Sequence, residues 1–192
     1  MSNFKNKENN ICRGNLSDDE YLKHMIPHHI VAVDISEIHK TKSKSPKIQE
    51  ILRKLIWTQK YEIELMKEIL KNNIDKISNY DEMNSNYIIS VADFIKPNTV
   101  GLTQTYCDPN FFNPEEHIKH IKNMDLNDKM YIEHMIPHHQ VAVDMSKVLI
   151  QNTNNDIMIN LAYRIIRSQQ EEILILQRYL ESPYKHNSEL LY

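Results

Sequence analysis

The chain has 192 residues, a formal net charge of -3 and 41% hydrophobic residues, which is enough apolar material for one folded domain. It contains only two glycines and few aromatic residues, so long helices are favoured over a sheet-rich fold with many tight turns. The near-neutral charge, without a long basic run, argues against nucleic acid as a partner, because phosphate binding needs a concentrated positive face.

No apolar stretch approaches the roughly 20 residues that span a bilayer, and the first residues, MSNFKNKENN, lack the apolar core of a secretion signal. We therefore expect a soluble chain without an export signal and without a membrane partner. Its expected location is the cytoplasm or, for a protein of viral origin, the host cytoplasm or the virion. Two cysteines, Cys12 and Cys107, are too few for a thiolate zinc site. The sequence leaves open whether they form a disulfide. It also leaves open whether the chain forms a homodimer.

One string of thirteen residues occurs twice in the chain. HMIPHHIVAVDIS begins at His24 and HMIPHHQVAVDMS begins at His134, with eleven of the thirteen positions identical. At the same offset of 110 residues, the similarity extends over residues 16–70 and 126–180. Such self-similarity indicates two copies of one structural unit.

Helix-start signals precede each copy. Ser17 with Glu20 three residues later forms a capping box, and Asn127 is a good N-cap for the second copy. The polar breaks TKSKSP and QNTNND then separate two helices within each copy, and Pro46 suits the first turn of the second helix. Each copy is therefore predicted to be an antiparallel helical hairpin.

Pro27 and Pro137 lie inside the first helix of each copy, where proline costs about 3 kcal/mol, so we predict a kink at both. The bridge between the copies does not repeat. In it, NPEEHIKHIKNM is predicted to be a short helix capped by Asn113. The structure of residues 79–112 is left open, except that the run YIISVADFI within them is compatible with a strand or a short helix, and helix is favoured.

The predicted fold is all-α, a four-helix bundle made of two duplicated helical hairpins joined by a long irregular bridge. The predicted organisation is a mobile arm (1–14), one bundle domain (15–182, with hairpins 15–71 and 125–182 and bridge 72–124) and a C-terminal tail (183–192).

Polar side chains fall on the apolar face of each predicted helix. At 100° per residue, His24 and His28 lie within the apolar stripe of the first helix, and Gln59 and Glu62 lie within that of the second. With the turn centred between residues 43 and 44, His28 is predicted to face Gln59, and His24 to face Glu62 or its neighbour Ile63. The constant offset predicts the corresponding pairs in the second copy, His138 with Gln169 and His134 with Glu172.

Two hairpins related by a pseudo-twofold would bring four imidazoles and two carboxylates to one level of the core. Burying such groups without partners costs several kcal/mol, and helical bundles build metal sites in their cores in this way. Histidines at i and i+4 also have suitable spacing for zinc, copper, iron or nickel. A metal-free network of the same groups is the alternative. The predicted metal ligands are His24, His28, Glu62, His134, His138 and Glu172.

A second set of residues is expected around these ligands. His29 and His139 either complete the coordination shell or hydrogen-bond Asp34 and Asp144, in a layer that orients the ligands; the second arrangement is favoured. Further candidates for this set are Gln59, Gln169, Met25 and Met135.

The methionines and the remaining histidines have a plainer interpretation. Methionine at helical spacing is more often a core residue than a Cu(I) ligand, which is the prediction favoured for Met25, Met66, Met135 and Met145. The histidines predicted to be exposed are His39, His117, His120 and His186.

The string MIPHH at residues 25–29 and 135–139, with Gln and Glu downstream in each copy, resembles the Domain of Unknown Function 305 family. Members of that family carry a Met-Ile-x-His-His signature twice. The resemblance covers about residues 15–182 and implies a ferritin-like four-helix bundle. Since some members are exported copper-binding proteins, it also implies metal binding, with copper as the metal.

This chain departs from the family pattern in ways that bear on the metal. His24 and His134 stand where many relatives carry Met, and Ile35 and Leu176 replace Met at two further positions. Imidazole and carboxylate in place of thioether make a harder ligand set, better suited to Cu(II), Zn(II) or iron than to Cu(I). The missing export signal is a further difference from the exported copper-binding members.

Three functions are compatible with these patterns. The first is a protein that sequesters or buffers copper, zinc or iron, with metal ions as its partners. The second is a di-metal redox enzyme of the oxidase type, and the third is a structural protein with a metal-free polar core. Nothing in the chain resembles a Ser/His/Asp triad, a phosphate loop or a Cys nucleophile, so hydrolase and kinase activities have no support.

Overall fold

The computed structural model describes residues 16–72, 109–122 and 125–181, and these ranges are helical almost throughout. The α-helices that they contain are α1 (Asp18–Lys42), α2 (Pro46–Lys71), α3 (Pro114–Lys122), α4 (Asp128–Asn152) and α5 (Asp156–Glu181), with a 3-10 turn at Pro109–Phe112. The all-α prediction is confirmed. Within the same ranges, no helix is long and apolar enough to cross a membrane.

Some of the predictions concern residues outside these ranges. They are the N-terminal arm, the bridge segment before the 3-10 turn, the proposed pair Cys12 and Cys107, and the C-terminal tail with His186.

The predicted helix starts are confirmed by their hydrogen bonds. The Glu20 N–H donates to the Ser17 hydroxyl at 3.3 Å, and the Ser17 N–H donates to the Glu20 carboxylate at 2.9 Å. The Met130 N–H donates to the Asn127 side chain at 2.9 Å, and Asn113 caps α3 in the same manner. Helices α1 and α4 continue through their internal prolines, and a kink at these positions stays a prediction.

Helices α1 and α2 form one hairpin, α4 and α5 form the other, and the hairpins meet where α1 packs against α4. The Tyr21 hydroxyl lies 2.7 Å from the Ser146 hydroxyl, and the Ser36 hydroxyl lies 2.8 Å from that of Tyr131. Tyr131 and Ser146 are the repeat equivalents of Tyr21 and Ser36, so each hydrogen bond joins a tyrosine of one copy to the equivalent serine of the other. The two helices are therefore antiparallel and related by an approximate twofold axis.

Two apolar clusters occupy the two ends of the described bundle. One contains Tyr21, Met25 and Met66, and the other contains Tyr131 and Met135. The methionines singled out from the sequence thus lie buried among apolar neighbours, in agreement with the core interpretation. The histidine-bearing turns of α1 and α4 lie between the two clusters.

Candidate metal centre

His28 on α1 and His138 on α4 meet at the centre of the bundle. Both side chains are fully buried, their ring centroids are 3.7 Å apart and their planes differ by 31°. Among the described residues, none of the four ring nitrogens has a hydrogen-bond partner. Such unpartnered buried groups need an explanation, because the protein gives them nothing in place of the water they lose.

Electrostatics keeps this histidine pair neutral. Burial lowers the pKa of His28 well below its ordinary value, and the neighbouring His29 and His139 lower it further. Burial also lowers the pKa of His138 strongly, with His28 as the next largest cause. Near pH 7 both rings are therefore uncharged and each carries a free nitrogen lone pair, which is the form that binds a metal ion.

The next histidine on each helix is paired with a glutamate across its own hairpin. His29 Nε2 lies 3.0 Å from Glu62 Oε2, and His139 Nε2 lies 2.7 Å from Glu172 Oε2. All four side chains are buried. The two pairs flank the His28–His138 contact and place a carboxylate on each side of the bundle centre.

The predicted register of the hairpins is wrong by more than one helical turn, because Glu62 contacts His29 and not His24. Helix side chains lean toward the N-terminus of their own helix. Residues that touch across an antiparallel pair therefore lie about one position further along each chain than the position of the turn suggests, which accounts for about half of the shift. The second hairpin shows the same shift, since Glu172 contacts His139 and not His134.

The expected hydrogen bonds from His29 to Asp34 and from His139 to Asp144 are also wrong, since glutamates take those places. Asp34 is half-buried, and burial raises its pKa against the opposing charge of Lys60. Asp144 is buried and accepts a hydrogen bond from the Gln140 side chain at 2.9 Å. The layer formed by His28, His29, His138, His139, Glu62 and Glu172 is called the histidine layer below. Neither aspartate is hydrogen-bonded to its histidines.

The two predicted glutamines do lie in the core, but they behave differently. The Gln169 amide nitrogen is 3.3 Å from His29 Nε2, which belongs to the other hairpin. Both polar atoms of the Gln59 side chain are buried without a partner among the described residues, so the predicted contact between Gln59 and His28 is not a hydrogen bond.

The end of the bridge covers the histidine layer. The Phe111 ring lies 4.8 Å from His138 and 5.4 Å from His134, and the Phe112 ring lies 5.3 Å from His28, centroid to centroid. His24 is half-buried, with its ring 6.2 Å from Phe112. The 3-10 turn therefore excludes water from one side of the site.

Two histidines expected at the surface are buried, which corrects the prediction. His117 on α3 is 7% exposed, and its ring lies 4.9 Å from that of His134. His39 is 1% exposed; it stacks on Tyr131 and pairs with Asp128 at 2.7 Å. The side chain of His120 is outside what the structure describes. The adjacent phenylalanines 111 and 112, in an otherwise polar stretch, were the available sign that the bridge docks here.

The side chains at the bundle centre are of the types that bind a metal ion, but their present positions do not form a complete coordination site. Unpartnered neutral imidazoles with nearby carboxylates are the ligands that Cu(II) and Zn(II) prefer. In the described part of the chain, however, no three His, Cys, Asp or Glu side chains converge closely enough to hold an ion. The His28 and His138 rings are tilted against each other by 31°, and a third donor would have to approach them for an ion to be held.

The fold and this layer define an all-helical bundle with buried histidine pairs at its centre. The family model described as "Domain of unknown function (DUF305)" matches residues 18–180. The chain therefore belongs to the DUF305 family.

Two further comparisons place the chain among known proteins. The uncharacterized protein L153 of Acanthamoeba polyphaga mimivirus is 46% identical over 48 residues, which are 25% of this chain and 32% of that protein. The chain thus matches about a third of the length of this curated relative.

Solved structures of CopM are similar over most of their length. The Cu(II)-bound and Cu(I)-bound forms each share 26% identity with this chain, cover 88% of it and 99% of CopM, and have a TM-score of 0.59. A silver-bound form is 25% identical, with the same TM-score. CopM therefore shares the fold, and it binds copper and silver ions in these structures.

Proposed function

We propose that this chain binds a transition-metal ion at the centre of its bundle and serves in metal sequestration or homeostasis. The observation that carries the proposal is the His28–His138 pair, which is neutral, fully buried and without hydrogen bonds among the described residues. Burial of unsatisfied imidazoles is costly, and a cation between them would satisfy their nitrogens. The copper-bound structures of CopM, which has the same fold, support this function.

The ligand chemistry favours Cu(II) or Zn(II) over Cu(I). Cu(I) prefers thioether and thiolate sulfur, whereas Cu(II) and Zn(II) accept imidazole and carboxylate. Met25, Met66 and Met135 are fully buried and pack in the apolar clusters. In this structure the residues available at the bundle centre are histidines and glutamates.

In this proposal, the residues of the chain have distinct roles. His28 and His138 supply nitrogen lone pairs to the ion. Phe111 and Phe112 exclude water, which strengthens the electrostatic attraction between an ion and its ligands.

Elemental analysis by plasma mass spectrometry on untagged protein tests the proposal. We expect stoichiometric copper or zinc in the wild type and its loss in the His28→Ala/His138→Ala variant. His39→Ala is the matched control, because His39 is equally buried but lies outside the central layer. Unchanged metal content in the double variant would refute the site, and the far-ultraviolet circular dichroism of each variant shows whether it folds.

A further inference from the structure

In the first half of the histidine layer, the hydrogen bonds of the His29–Glu62 pair are complete. Glu62 Oε2 pairs with His29 at 3.0 Å, and Glu62 Oε1 accepts a hydrogen bond from the Ser168 hydroxyl at 3.0 Å. The other ring nitrogen of His29, Nδ1, lies 3.1 Å from the Met25 carbonyl oxygen. The Gln169 amide also reaches His29, at 3.3 Å. Every polar atom of the His29–Glu62 pair therefore has a partner.

The second half repeats the sequence but lacks these additional bonds. Glu172 Oε2 pairs with His139 at 2.7 Å, yet Glu172 Oε1 is buried without a partner among the described residues. His139 Nδ1 and both polar atoms of the Gln59 side chain are also buried without a hydrogen-bond partner among the described residues. Thr58, which occupies the position equivalent to the serine of the first half, leaves Glu172 Oε1 without a donor. A glutamine Oε1 atom is without a partner in both halves, but among the described residues the unpartnered carboxylate oxygen belongs to the second half.

The bridge adds a second structural difference between the two halves of the histidine layer. Helix α3 brings the His117 ring to 4.9 Å from His134, and the His134 ring lies 6.0 Å from His138. In the first half, His24 corresponds to His134, and it has the ring of Phe112 beside it at 6.2 Å. Among the described residues, an additional imidazole therefore stands beside the second half and not beside the first, because a single bridge cannot follow the twofold axis.

From this difference we infer that the chain takes one metal ion, bound by the His28–His138 pair on the side of the second half of the layer, and that Glu172 is the carboxylate that neutralises it. Glu62 then has a structural role, since both of its oxygens are already bonded. The inference rests on the proposed metal-binding function and adds to it the number of ions and the carboxylate used. A cation would satisfy the buried oxygen of Glu172 together with the imidazoles nearby, whereas both carboxylate oxygens of Glu62 in the first half are already bonded.

Matched substitutions of the two glutamates test this inference. Isothermal titration of the full metal-free chain with Cu(II) alone should give one ion per chain for the wild type. Glu172→Gln should raise the Kd by about tenfold or more, whereas Glu62→Gln should change it by less than about threefold. Equal weakening by the two substitutions, or two ions per chain, would overturn the inference and leave the proposed function intact. Absence of any binding by the wild type would instead refute the proposed function.

A second variant keeps the test valid if Glu62→Gln does not fold. Ser168→Ala removes the hydrogen bonds of the Ser168 hydroxyl to Glu62 Oε1 and to the Ile165 carbonyl oxygen, and it leaves the His29–Glu62 pair in place. We expect its Kd to stay within about threefold of the wild type, because Ser168 contacts only the completed half. A tenfold rise of the Kd in Ser168→Ala would contradict the structural role of Glu62.

Discussion

The hydroxyl of Tyr21 on α1 lies 2.7 Å from the hydroxyl of Ser146 on α4, and this buried hydrogen bond joins one hairpin to the other. Its counterpart between Ser36 and Tyr131, at 2.8 Å, does the same at the other end of the α1–α4 contact. The histidine layer thus lies between two buried hydrogen bonds that cross the α1–α4 contact.

Tyr21→Phe should lower the free energy of unfolding by about 1–3 kcal/mol, because the substitution leaves the buried Ser146 hydroxyl without its partner. Tyr131→Phe should have a similar effect, and the two should add, since the two hydrogen bonds lie far apart. Urea denaturation followed by circular dichroism measures both. Tyr61→Phe is the control, because Tyr61 is 50% exposed. An equal effect of all three substitutions would show that these two hydrogen bonds contribute nothing specific.

The metal-free protein should lose stability as the pH falls below about 6.5, the ordinary pKa of histidine. The pKa values of His28 and His138 are lowered in the folded state, so the unfolded state takes up protons first. The stabilisation is present above that pH and decreases by up to about 1.4 kcal/mol per histidine for each pH unit of acidification.

Urea denaturation at pH 7.5 and 5.5, in the presence of a chelator, checks this dependence. The His28→Leu/His138→Leu variant should lose most of it. A smaller dependence should remain, because burial also lowers the pKa of His39, which the variant retains. An identical pH dependence in wild type and variant would be incompatible with the buried neutral pair.

Adding a bound metal should raise the melting temperature. An ion that binds only the folded state stabilises it by about 2.7 kcal/mol at a free concentration of 100 times the Kd. Differential scanning calorimetry with Zn(II), before and after addition of a chelator, should show a reversible shift in the wild type. The His28→Ala/His138→Ala variant should melt at the same temperature with and without Zn(II), and an equal shift in the variant would place the ion elsewhere.

Phe111→Ala should accelerate metal release, because Phe111 is 5% exposed and covers His138 at 4.8 Å. The substitution should also lower stability by about 3 kcal/mol through the cavity that it creates. Stopped-flow measurement of metal transfer to a chelator checks the first expectation. Phe111→Leu, which keeps most of the volume, is the control. Equal release rates in Phe111→Ala and the wild type would show that the 3-10 turn does not limit access.

The fold could be predicted from the sequence in large part because its signals are local or repeated. The cap at Ser17, the breaks in each copy and the offset of 110 residues define the four long helices and their twofold relation. Hydrophobic spacing also placed His28, Gln59 and Glu62 in the core, where the structure has them.

The pairing within the site could not be predicted in the same way. A helical wheel with one apolar stripe places His29 at the border of that stripe. In the structure, α1 is covered by α2 on one side and by α4 and the bridge on another. His28 and His29 are therefore both buried. Hairpin register depends on side-chain direction as well as on the turn. The burial of His117 and the docking of Phe111 depend on where the non-repeated bridge packs, which no local pattern contains.

Electron paramagnetic resonance of the protein loaded with one equivalent of Cu(II) tests most directly whether the bundle centre is a metal site. The wild type should show hyperfine splitting from imidazole nitrogens, and the His28→Ala/His138→Ala variant should lose it. The same nitrogen splitting in both proteins, or a spectrum of unbound Cu(II) in the wild type, would contradict metal binding by the His28–His138 pair.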